Sequence, residues 1–421
     1  MDTEEVRLLL IKKLRNRTKS ENHEKNVSSI MSSLQDLEIL KLAMRGASLD
    51  EAEKILGYKI DGVFLVHPRG EADLRNKYDF FKTLSREKIR EIQEAHWPTV
   101  LDIVHYEQMN IPVWSLPLTP EYFFPQTDRE TKRHFQEVSQ KKKEEALILL
   151  KFFESEGKIP IILGALTGRI ARFLKKQGIQ SPLITGIYLT PCFISGMIKK
   201  IAVIAKEIAL EYRIALVGGA GNMGQAILNW LVAEGFQNIT VIEASNAELN
   251  SIQNKYETEI AQQCLYLTTN IEAVREKDIV IVATASPRIL VKADMLSAGT
   301  IIIDDTHPSN VAKDVIGDKI AVLRVMAKAP KLKYNFPMDQ MSDNETVTCL
   351  AEGVLMVAIG NTLMNAYNEV CVLNTRECQL KLMKKVAQKG RELDIGFADF
   401  RDYDNYISNE RVKKVRSLKN E

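Results

Sequence analysis

Residues 299–310 read GTIIIDDTHPSN, an apolar run that leads directly into two carboxylates and a histidine. An imidazole titrates near neutral pH, so His307 could exchange a proton with a substrate oxygen in either direction. Asp304 or Asp305 could hold the ring in one tautomer and raise its pKa, and Pro308 would stiffen the turn. The alternative is a polar turn in which His307 only packs. No metal site is predicted, because no cluster of His or Cys accompanies the two aspartates.

A glycine-rich turn stands upstream, within IALVGGAGNMGQAI at residues 214–227. A strand, the spacing G-x-G-x-x-G and a helix follow one another there, which is the order of a dinucleotide-binding βα unit. Gly219 would permit the tight turn, Gly221 the approach of a pyrophosphate, and Gly224 the packing of helix on strand. The start of the helix would offer backbone N–H groups to the phosphates. The expected cofactor-binding residues of this turn are Gly218, Gly219, Gly221, Asn222, Met223 and Gly224.

Two later strand ends extend the prediction to the rest of the cofactor. The strand NITVIEAS places Glu243 about 20 residues after the turn, where a carboxylate can accept hydrogen bonds from both ribose hydroxyls. A carboxylate there would repel a 2′-phosphate and no arginine follows, so NAD is favoured, although Ser245 and Asn246 leave NADP open. The strand DIVIVATAS ends at Ala283 and Thr284, whose small side chains would leave room for the nicotinamide ribose.

Hydrophobic periodicity predicts the elements that position these groups. Buried β-branched strands alternate with helical segments from residue 58 onward, which indicates parallel sheets. We predict an α/β protein with a doubly wound parallel sheet of the Rossmann type, a second α/β domain, and helical segments at both ends. The predicted domains are a helical segment at 1–57, a substrate-side α/β domain at 58–185, a Rossmann domain at 186–330 and a helical closure at 331–421.

Composition narrows the class of protein. The 421 residues carry a net charge of +2 and 45% apolar side chains, which fits a globular protein and gives no sign of a nucleic-acid-binding surface. No apolar run reaches the length of a membrane span, and the charged start lacks the core of a signal peptide. The cysteines lack the spacing of a disulfide framework or a zinc site, so a reducing cytoplasm is expected. They are Cys192, Cys264, Cys349, Cys371 and Cys378.

Five segments between about residue 110 and residue 400 occur in an order known from one family. IILGALTGRIA is similar to that family's LGGFTS, LITGIYLTPCFISGMI to TTGNSxTA, and VGGAGNMGQA to VGATGxIGSA. IIIDDTHPSN is similar to IDGGYPKN, and TCLAEGVLM to ACFAEAMLL. The family is that of the cyanobacterial-type long-chain acyl-(acyl-carrier-protein) reductases, which make fatty aldehydes from acyl thioesters. The resemblance implies the same scaffold, a nicotinamide cofactor, and an acyl-carrier or other small carbonyl substrate.

The same resemblance places departures from the family at the chemical positions. The family's cysteine nucleophile corresponds to Thr300, and its tyrosine and lysine correspond to His307 and Ser309. Cys192 is the nearby candidate replacement, and a helix N-terminus would lower its pKa; the alternative is a buried structural cysteine. Hydride transfer to a carbonyl or from an alcohol needs no nucleophile, only a positioned cofactor and one proton-exchanging group. The candidate catalytic residues are thus His307, Asp304, Thr300 and Cys192.

The sequence therefore predicts an NAD(P)-dependent oxidoreductase acting on a carbonyl or acyl-thioester substrate in an interdomain cleft. The glycine turn also resembles that of prephenate dehydrogenases, which leaves a dehydrogenase of a small acidic metabolite as an alternative. A non-catalytic, regulatory nucleotide-binding protein is a third. The oligomeric state, including a homo-oligomer, stays open. His67 and Arg69 at a strand exit, and Glu352 within an apolar helix, are candidates either for an active crevice or for structural roles.

Overall fold

The computed structural model describes most of the chain from residue 58 onward. The described residues are 53, 58–68, 70–77, 79–124, 128–154, 159–286, 288–307, 309–334, 344–360 and 375–419. They belong to two compact units, one formed by Met1–Thr185 with Leu332–Pro337 and the other by Gly186–Lys331 with Met338–Glu421. The predicted helical segment at 1–57 lies outside the described residues apart from Glu53. The predicted closure at 331–421 belongs mainly to the second unit and does not form one of its own.

The first unit is built on a six-stranded sheet. The strands β1 (Val63–Val66), β3 (Met109–Ser115), β4 (Ile161–Leu163) and β5 (Leu183–Ile184) are parallel, whereas β2 (Thr99–Tyr106) forms an antiparallel hairpin with β3. The late segment Leu332–Lys333, β13, completes the order β13-β2-β3-β1-β4-β5. The helices of this unit are α1 (Glu71–Lys77), α2 (Arg86–Ala95), α3 (Arg129–Glu154) and α4 (Ala171–Lys176).

Apolar spacing along α3 explains how this helix holds the first unit together. Its buried residues Leu149, Leu150 and Phe153 belong to the core cluster that also contains Trp114 of β3. The rings of Trp114 and Phe153 meet edge to face, with centroids 5.9 Å apart. Burial of side chains of this size contributes roughly 1.5–3 kcal/mol each, so the helix is fixed by packing more than by its own propensity.

The second unit contains the predicted Rossmann sheet. Its strands are β6 (Ile214–Val217), β7 (Ile239–Ile242), β8 (Leu265–Thr268), β9 (Ile279–Val282), β10 (Ile301–Asp304) and β11 (Ala321–Arg324). They are all parallel and lie in the order β11-β10-β9-β6-β7-β8. This is the order 3-2-1-4-5-6 of doubly wound dinucleotide-binding domains, so the predicted fold class is confirmed. The order reverses between β6 and β9, which places a ligand crevice at their carboxyl ends.

Helices and a small antiparallel sheet complete the second unit. The helices are α5 (Thr190–Ala205), α6 (Asn222–Ala233), α7 (Asn246–Lys255), α8 (Glu257–Ala261), α9 (Thr348–Ile359), α10 (Arg376–Glu392) and α11 (Asn409–Ser417). In the small sheet, β12 (Met326–Lys328) pairs with β14 (Glu345–Val347) and β15 (Gly396–Phe397). Among the described ranges, no helix combines the length and the apolar character needed to cross a membrane.

Candidate functional site

The ends of three neighbouring strands lie level with one another at the carboxyl edge of the Rossmann sheet. Val217 of β6 pairs with Val282 of β9, and Val282 pairs in turn with Asp304 of β10. The residues that follow these strands therefore meet at one edge of the sheet: the glycine turn after β6, Ala283 after β9 and Asp305 after β10. This is the edge at which the sequence analysis places the cofactor crevice.

The glycine turn owes its shape to Gly218. Its φ of +90° lies in the left-handed region that side chains rarely adopt, and a Cβ there would stand 2.8 Å from the carbonyl oxygen of Ala283. Gly219, for which the tight turn was predicted, has a different role. A Cβ at Gly219 would stand 2.5 Å from Cγ1 of Val241, so its missing side chain lets the turn pack against β7. The tight turn is therefore reassigned from Gly219 to Gly218.

The other two glycines of the motif differ in what surrounds them. A Cβ added to Gly224 would stand 2.6 Å from the Cα of Gly219, so the first turn of α6 packs against the glycine turn without room for a side chain. A Cβ on Gly221 would meet only the carbonyl oxygen of Gly218, at 3.5 Å. Gly221 is exposed and is the N-cap of α6. The space beside Gly221 is therefore open to a ligand, whereas the space beside Gly224 is filled by the protein.

This turn fits a pyrophosphate. A helix leaves its first backbone N–H groups without partners inside the helix, and the first residues of α6 are Asn222 and Met223. Asn222 is exposed and Met223 is half-buried. The positive end of the helix dipole lies at the same place, which favours an anion. The roles predicted for Asn222 and Met223 thus rest on their backbone and stay predictions.

Glu243 follows β7 and reaches back to the glycine turn. Its side-chain oxygen Oε1 accepts a hydrogen bond from the backbone N–H of Ala220. Burial raises the pKa of Glu243, and the nearby carboxylate of Glu248 raises it further, while the bond from Ala220 acts in the opposite direction. The Ser245 hydroxyl, which left NADP open, caps α7 and accepts a hydrogen bond from the N–H of Glu248 at 3.4 Å.

The exit from β9 is held against both neighbouring strands. Ala283 donates its N–H to the carbonyl of Val217 at 2.9 Å, which places Ala283 and Thr284 beside Gly218, and the predicted room for the nicotinamide ribose stays a prediction. On the other side, Nδ2 of Asn310 donates to the carbonyls of Ser286 and Arg288 at 2.8 and 2.7 Å. Asn310 is fully buried. It fixes the loop after β9. This role was not predicted, although Asn310 is the last residue of the motif GTIIIDDTHPSN.

Asp304 is part of a buried polar cluster and does not orient His307. Its Oδ1 accepts from the N–H and hydroxyl of Thr306, at 2.9 and 2.5 Å. Its Oδ2 accepts from Ser309 at 3.1 Å, from the Tyr403 hydroxyl at 2.5 Å and from Nη1 of Arg324 at 3.2 Å. Because five donors already converge on this carboxylate, the predicted role of Asp304 as a partner of the imidazole is wrong.

No local sequence pattern indicated two members of this cluster. Arg324 ends β11, and Tyr403 lies 99 residues after Asp304. The Arg324 guanidinium also donates to the carbonyl of Thr306 at 2.8 Å and lies over the Tyr403 ring, 5.3 Å from its centroid. The cluster thus fixes the turn that carries Asp305 and His307.

Asp305 and His307 are half-buried at the same edge of the sheet. The N–H of Asp305 donates to the carbonyl of Val282 at 3.0 Å, which continues the strand pairing by one residue beyond β10. Burial and the adjacent Asp304 carboxylate raise the pKa of Asp305 to about 7, against the effect of Arg324. His307 keeps its predicted place at the crevice, and its catalytic role remains a prediction.

Thr300 does not lie at the crevice. It precedes Ile301, the first residue of β10, so it stands at the amino edge of the sheet. Asp304 lies four positions further along the strand, roughly 13 Å away at the usual rise per residue. Its hydroxyl donates to the carbonyl of Lys277 at 2.9 Å and is fully buried. The prediction that Thr300 takes part in catalysis is wrong for this reason.

Cys192 is a half-buried thiol whose sulfur is hydrogen-bonded to the backbone. It lies in the first turn of α5, as predicted, and its Sγ donates to the carbonyl of Tyr188 at 3.3 Å. Burial raises the pKa of Cys192 well above its usual range, and the carboxylates of Glu352 and Glu234 raise it further. The expectation that the helix N-terminus lowers this pKa is therefore wrong, because desolvation outweighs the helix dipole. A thiol that stays protonated is a poor nucleophile.

The side chain of Glu352 accepts hydrogen bonds from the backbone N–H groups just before α5. This fully buried carboxylate accepts three backbone hydrogen bonds, from Gly186 at 3.1 Å, Tyr188 at 2.8 Å and Leu189 at 2.7 Å. Burial raises its pKa to about 7 although these three donors act to lower it. Of the two readings that the sequence left open, the structure supports the structural one: Glu352 fixes the turn before α5.

In the first unit, the contacts of His67 after β1 also indicate a structural role. His67 is buried, its Nε2 accepts from the N–H of Leu166 at 3.2 Å, and its Nδ1 lies 2.8 Å from the carbonyl oxygen of Pro68. A ring nitrogen that accepts from a backbone N–H carries no proton, so these partners assign the proton to Nδ1. Arg69 lies outside the described residues. Within the described part of the chain, no group of three His, Cys, Asp or Glu side chains is placed to hold a metal ion.

The Rossmann domain is similar to a family of known proteins. The Shikimate / quinate 5-dehydrogenase family matches residues 202–325, which include β6 to β11 and the glycine turn. No curated protein matches the chain. This is an NAD(P)-binding oxidoreductase domain. The predicted oxidoreductase class and nicotinamide cofactor are thus confirmed at this level.

Solved structures show more distant likenesses. The nucleotide-binding domain of glutamyl-tRNA reductase from Thermoplasma volcanium is 21% identical over 32% of this chain and 84% of its own, with a TM-score of 0.24. Quinate dehydrogenase from Corynebacterium glutamicum, in complex with NAD, is 18% identical over 30% of this chain, with a TM-score of 0.24. This chain spans 49% of that enzyme. NAD-dependent malic enzyme from Thermotoga maritima is 13% identical over 94% of this chain and 100% of its own, with a TM-score of 0.39.

Proposed function

We propose that the protein is an NAD-dependent dehydrogenase that transfers a hydride between the nicotinamide and a hydroxyl-bearing carbon of a small acidic substrate. One observation carries the proposal. The glycine turn, Glu243 and the exit of β9 keep the geometry for a dinucleotide, whereas neither predicted nucleophile is suited to covalent catalysis. Thr300 lies at the wrong edge of the sheet, and burial keeps Cys192 protonated. The match to a family of dehydrogenases named for two small acids supports the same substrate class.

Each residue of the crevice has a task in a reaction without an enzyme-bound intermediate. The first turn of α6 binds the pyrophosphate beside Gly221, and Glu243 accepts hydrogen bonds from the ribose. Asn310 holds the loop after β9 in place beside the nicotinamide half. The bound nicotinamide supplies or accepts the hydride. His307 exchanges the proton of the substrate hydroxyl, since an imidazole is suited to both directions near neutral pH.

The cofactor preference follows from Glu243. A 2′-phosphate on the ribose would face a half-buried carboxylate that is already fixed by the N–H of Ala220. Like charges in such surroundings repel strongly because water screens them poorly. Ser245 offers little compensation, because its hydroxyl caps α7. We therefore propose NAD and not NADP as the cofactor.

An acyl thioester is the second candidate substrate. It is favoured by the order of the five segments that resemble the acyl-(acyl-carrier-protein) reductases, between about residue 110 and residue 400. Reduction of a thioester through an acyl-enzyme needs a thiolate at the crevice. A regulatory protein that binds a nucleotide without turnover is the third candidate. The three are separated by whether NADH forms and whether an acyl group is transferred to the protein.

Two assays on the purified protein test the proposal. In the first, NAD⁺ is mixed with a panel of small hydroxy acids and NADH is followed by its absorbance, and we expect turnover with at least one member. In the second, the protein is incubated with an acyl thioester and its intact mass is measured, and we expect no added acyl group. An acyl adduct on Cys192 would overturn the proposal in favour of the thioester. Nucleotide binding with no turnover of either substrate class would overturn it in favour of the regulatory reading.

A matched pair of histidine variants tests the proton-exchanging group. His307→Gln keeps size and hydrogen bonding but cannot titrate, so turnover should fall by ~10²-fold or more while NADH binding stays intact. His105→Gln is the control, because His105 is an exposed residue of β2 that bonds Asn110 in the first unit. If His307→Gln turns over like the control, the catalytic role of His307 is wrong.

A further inference from the structure

The carboxylates of Asp305 and Asp304 differ in their hydrogen bonding. Asp304 receives five hydrogen bonds. Neither side-chain oxygen of Asp305 has a hydrogen-bond partner among the described residues. The strand pairing continues through Asp305, whose N–H donates to Val282. Successive side chains of a strand point to opposite faces, so the carboxylate of Asp305 is directed away from the buried cluster around Asp304.

The position of Asp305 in the sheet places it on the nicotinamide side of the crevice. A dinucleotide binds across the point where the strand order reverses, which here lies between β6 and β9. The half that begins with the glycine turn, β6 to β8, carries the adenosine-binding Glu243. The other half, β9 to β11, faces the nicotinamide. Asp305 follows β10, the central strand of that half, and is level with the end of β6 through the pairing of Val217, Val282 and Asp304.

Two charged groups, Asp304 and Arg324, act on the Asp305 carboxylate, and the other ionisable groups at this turn are Tyr403 and His307. Asp304 precedes it on the same strand, and Arg324 lies on the neighbouring β11. Arg324 donates to Oδ2 of Asp304 and to the carbonyl of Thr306, so its charge is largely committed to the cluster. Tyr403 bonds Asp304 from the C-terminal segment, and burial and that carboxylate raise the pKa of Tyr403, which stays neutral. His307 lies two residues further along the turn.

This arrangement leaves Asp305 able to gain or lose a proton near neutral pH. Burial and the Asp304 carboxylate raise its pKa to about 7, whereas the fixed guanidinium of Arg324 acts in the opposite direction. A carboxylate with this position and no committed partner can change charge in response to a ligand charge nearby.

We propose that the protonation state of Asp305 determines how strongly the site prefers NAD⁺ over NADH. The nicotinamide ring of NAD⁺ is positively charged and that of NADH is neutral. Ionised Asp305 favours the charged ring, and protonated Asp305 loses that preference. The inference rests on the proposed cofactor, and it concerns binding rather than turnover. It adds a residue that the sequence analysis considered only as a partner of His307.

The test compares dissociation constants for NAD⁺ and NADH between pH 5.5 and pH 8.5. For the wild-type protein, the ratio of the NADH constant to the NAD⁺ constant should rise with pH by ~5-fold or more, the lower end of typical coupling between two sites. In Asp305→Asn the ratio should be independent of pH. Asp314→Asn is the matched control, because Asp314 is an exposed aspartate in the connection from β10 to β11 and should behave as the wild type.

A second measurement needs no variant. Calorimetric titration of the wild-type protein with NAD⁺ near pH 7, in two buffers of different ionisation enthalpy, should show release of a fraction of a proton, and titration with NADH should not. If the pH dependence persists in Asp305→Asn, another group such as His307 carries it and the inference is wrong. Binding of both nucleotides without pH dependence or proton release would overturn the inference alone. If neither nucleotide binds at any pH, the proposed cofactor is overturned together with it.

Discussion

The carboxylate of Glu243 accepts a hydrogen bond from the backbone N–H of Ala220, which joins the end of β7 to the middle of the glycine turn. The acidic residue thus contributes to the shape of the pyrophosphate site as well as to the choice of ribose. It lies half-buried beside the helix N-terminus, where burial raises its pKa. Cofactor preference and turn geometry are therefore coupled through one side chain.

Glu243→Gln should relax the discrimination against NADP. A glutamine oxygen can still accept from the N–H of Ala220, so the turn should keep its shape while the negative charge is lost. We expect the ratio of NADPH to NADH affinity to rise by about tenfold, equivalent to ~1.4 kcal/mol. Titration of both reduced nucleotides into the variant measures the ratio. Glu257→Gln, at the exposed start of α8, is the control, and an unchanged ratio in Glu243→Gln would show that Glu243 does not select the cofactor.

Gly221→Ala and Gly224→Ala add the same methyl group but should affect different properties, NADH binding and stability respectively. At Gly224 the new Cβ would stand 2.6 Å from the backbone of Gly219, which cannot rotate away, so we expect a loss of ~1–3 kcal/mol in the free energy of unfolding. At Gly221 it meets only one atom, at 3.5 Å, so the fold should be retained while NADH binding weakens. Urea unfolding and NADH titration of both variants separate the two effects. Equal stability of the two variants would contradict the assignment.

The glycine motif shows what local sequence can and cannot predict. Spacing and the flanking apolar runs were sufficient for the fold class and for the site of the turn. Which glycine adopts the left-handed conformation was not predictable, because this depends on the contact of Gly218 with Ala283 of a strand far along the chain. Thr300 is a different case. The apolar run already places it at the start of β10, and only the family resemblance made it a catalytic candidate.

Glu352→Gln should destabilise the second unit. At pH 8 the wild-type carboxylate is ionised, since its pKa is raised only to about 7, and it accepts three backbone hydrogen bonds. A glutamine would turn an N–H₂ group toward at least one of these donors. Hydrogen bonds to charged groups contribute ~1.5–3 kcal/mol, and we expect a loss of that size in the free energy of unfolding. Urea unfolding at pH 8 measures it against Glu377→Gln, an exposed first-turn residue of α10. Equal midpoints would show that Glu352 does not fix the turn before α5.

Asp305→Asn should change how stability depends on pH. The pKa of Asp305 is raised from 3.8 to about 7, so the folded state holds the proton more tightly than the unfolded state. Its contribution to the free energy of unfolding is present below pH ~4 and is lost as the pH rises through about 7. The variant has no such loss, so its stability relative to the wild type should increase from pH 5 to pH 8. If urea unfolding gives the same difference at both pH values, the raised pKa is wrong.

Interaction partners that are distant in the sequence explain why several of the catalytic predictions were wrong. Cys192 and Glu352 each looked like a lone polar group in an apolar helix, and either could have been functional. Glu352 bonds residues more than 160 positions away, and its charge together with burial raises the pKa of Cys192. Asp304 likewise bonds Tyr403, 99 residues later. Such partners have no signature in the neighbouring sequence, so the roles of these side chains depend on the fold.

Calorimetric titration of the protein with NADH tests the central claim most directly. We predict saturable one-site binding to the wild type and to Gly317→Val, where an added side chain meets open space. Binding should be lost in Gly221→Val, whose side chain would occupy the space beside the first turn of α6, without loss of the fold. NADH at ~100 times its dissociation constant should also stabilise the wild type by roughly 2.7 kcal/mol. Absence of saturable binding of either NADH or NADPH, or equal binding by Gly221→Val, would contradict the account.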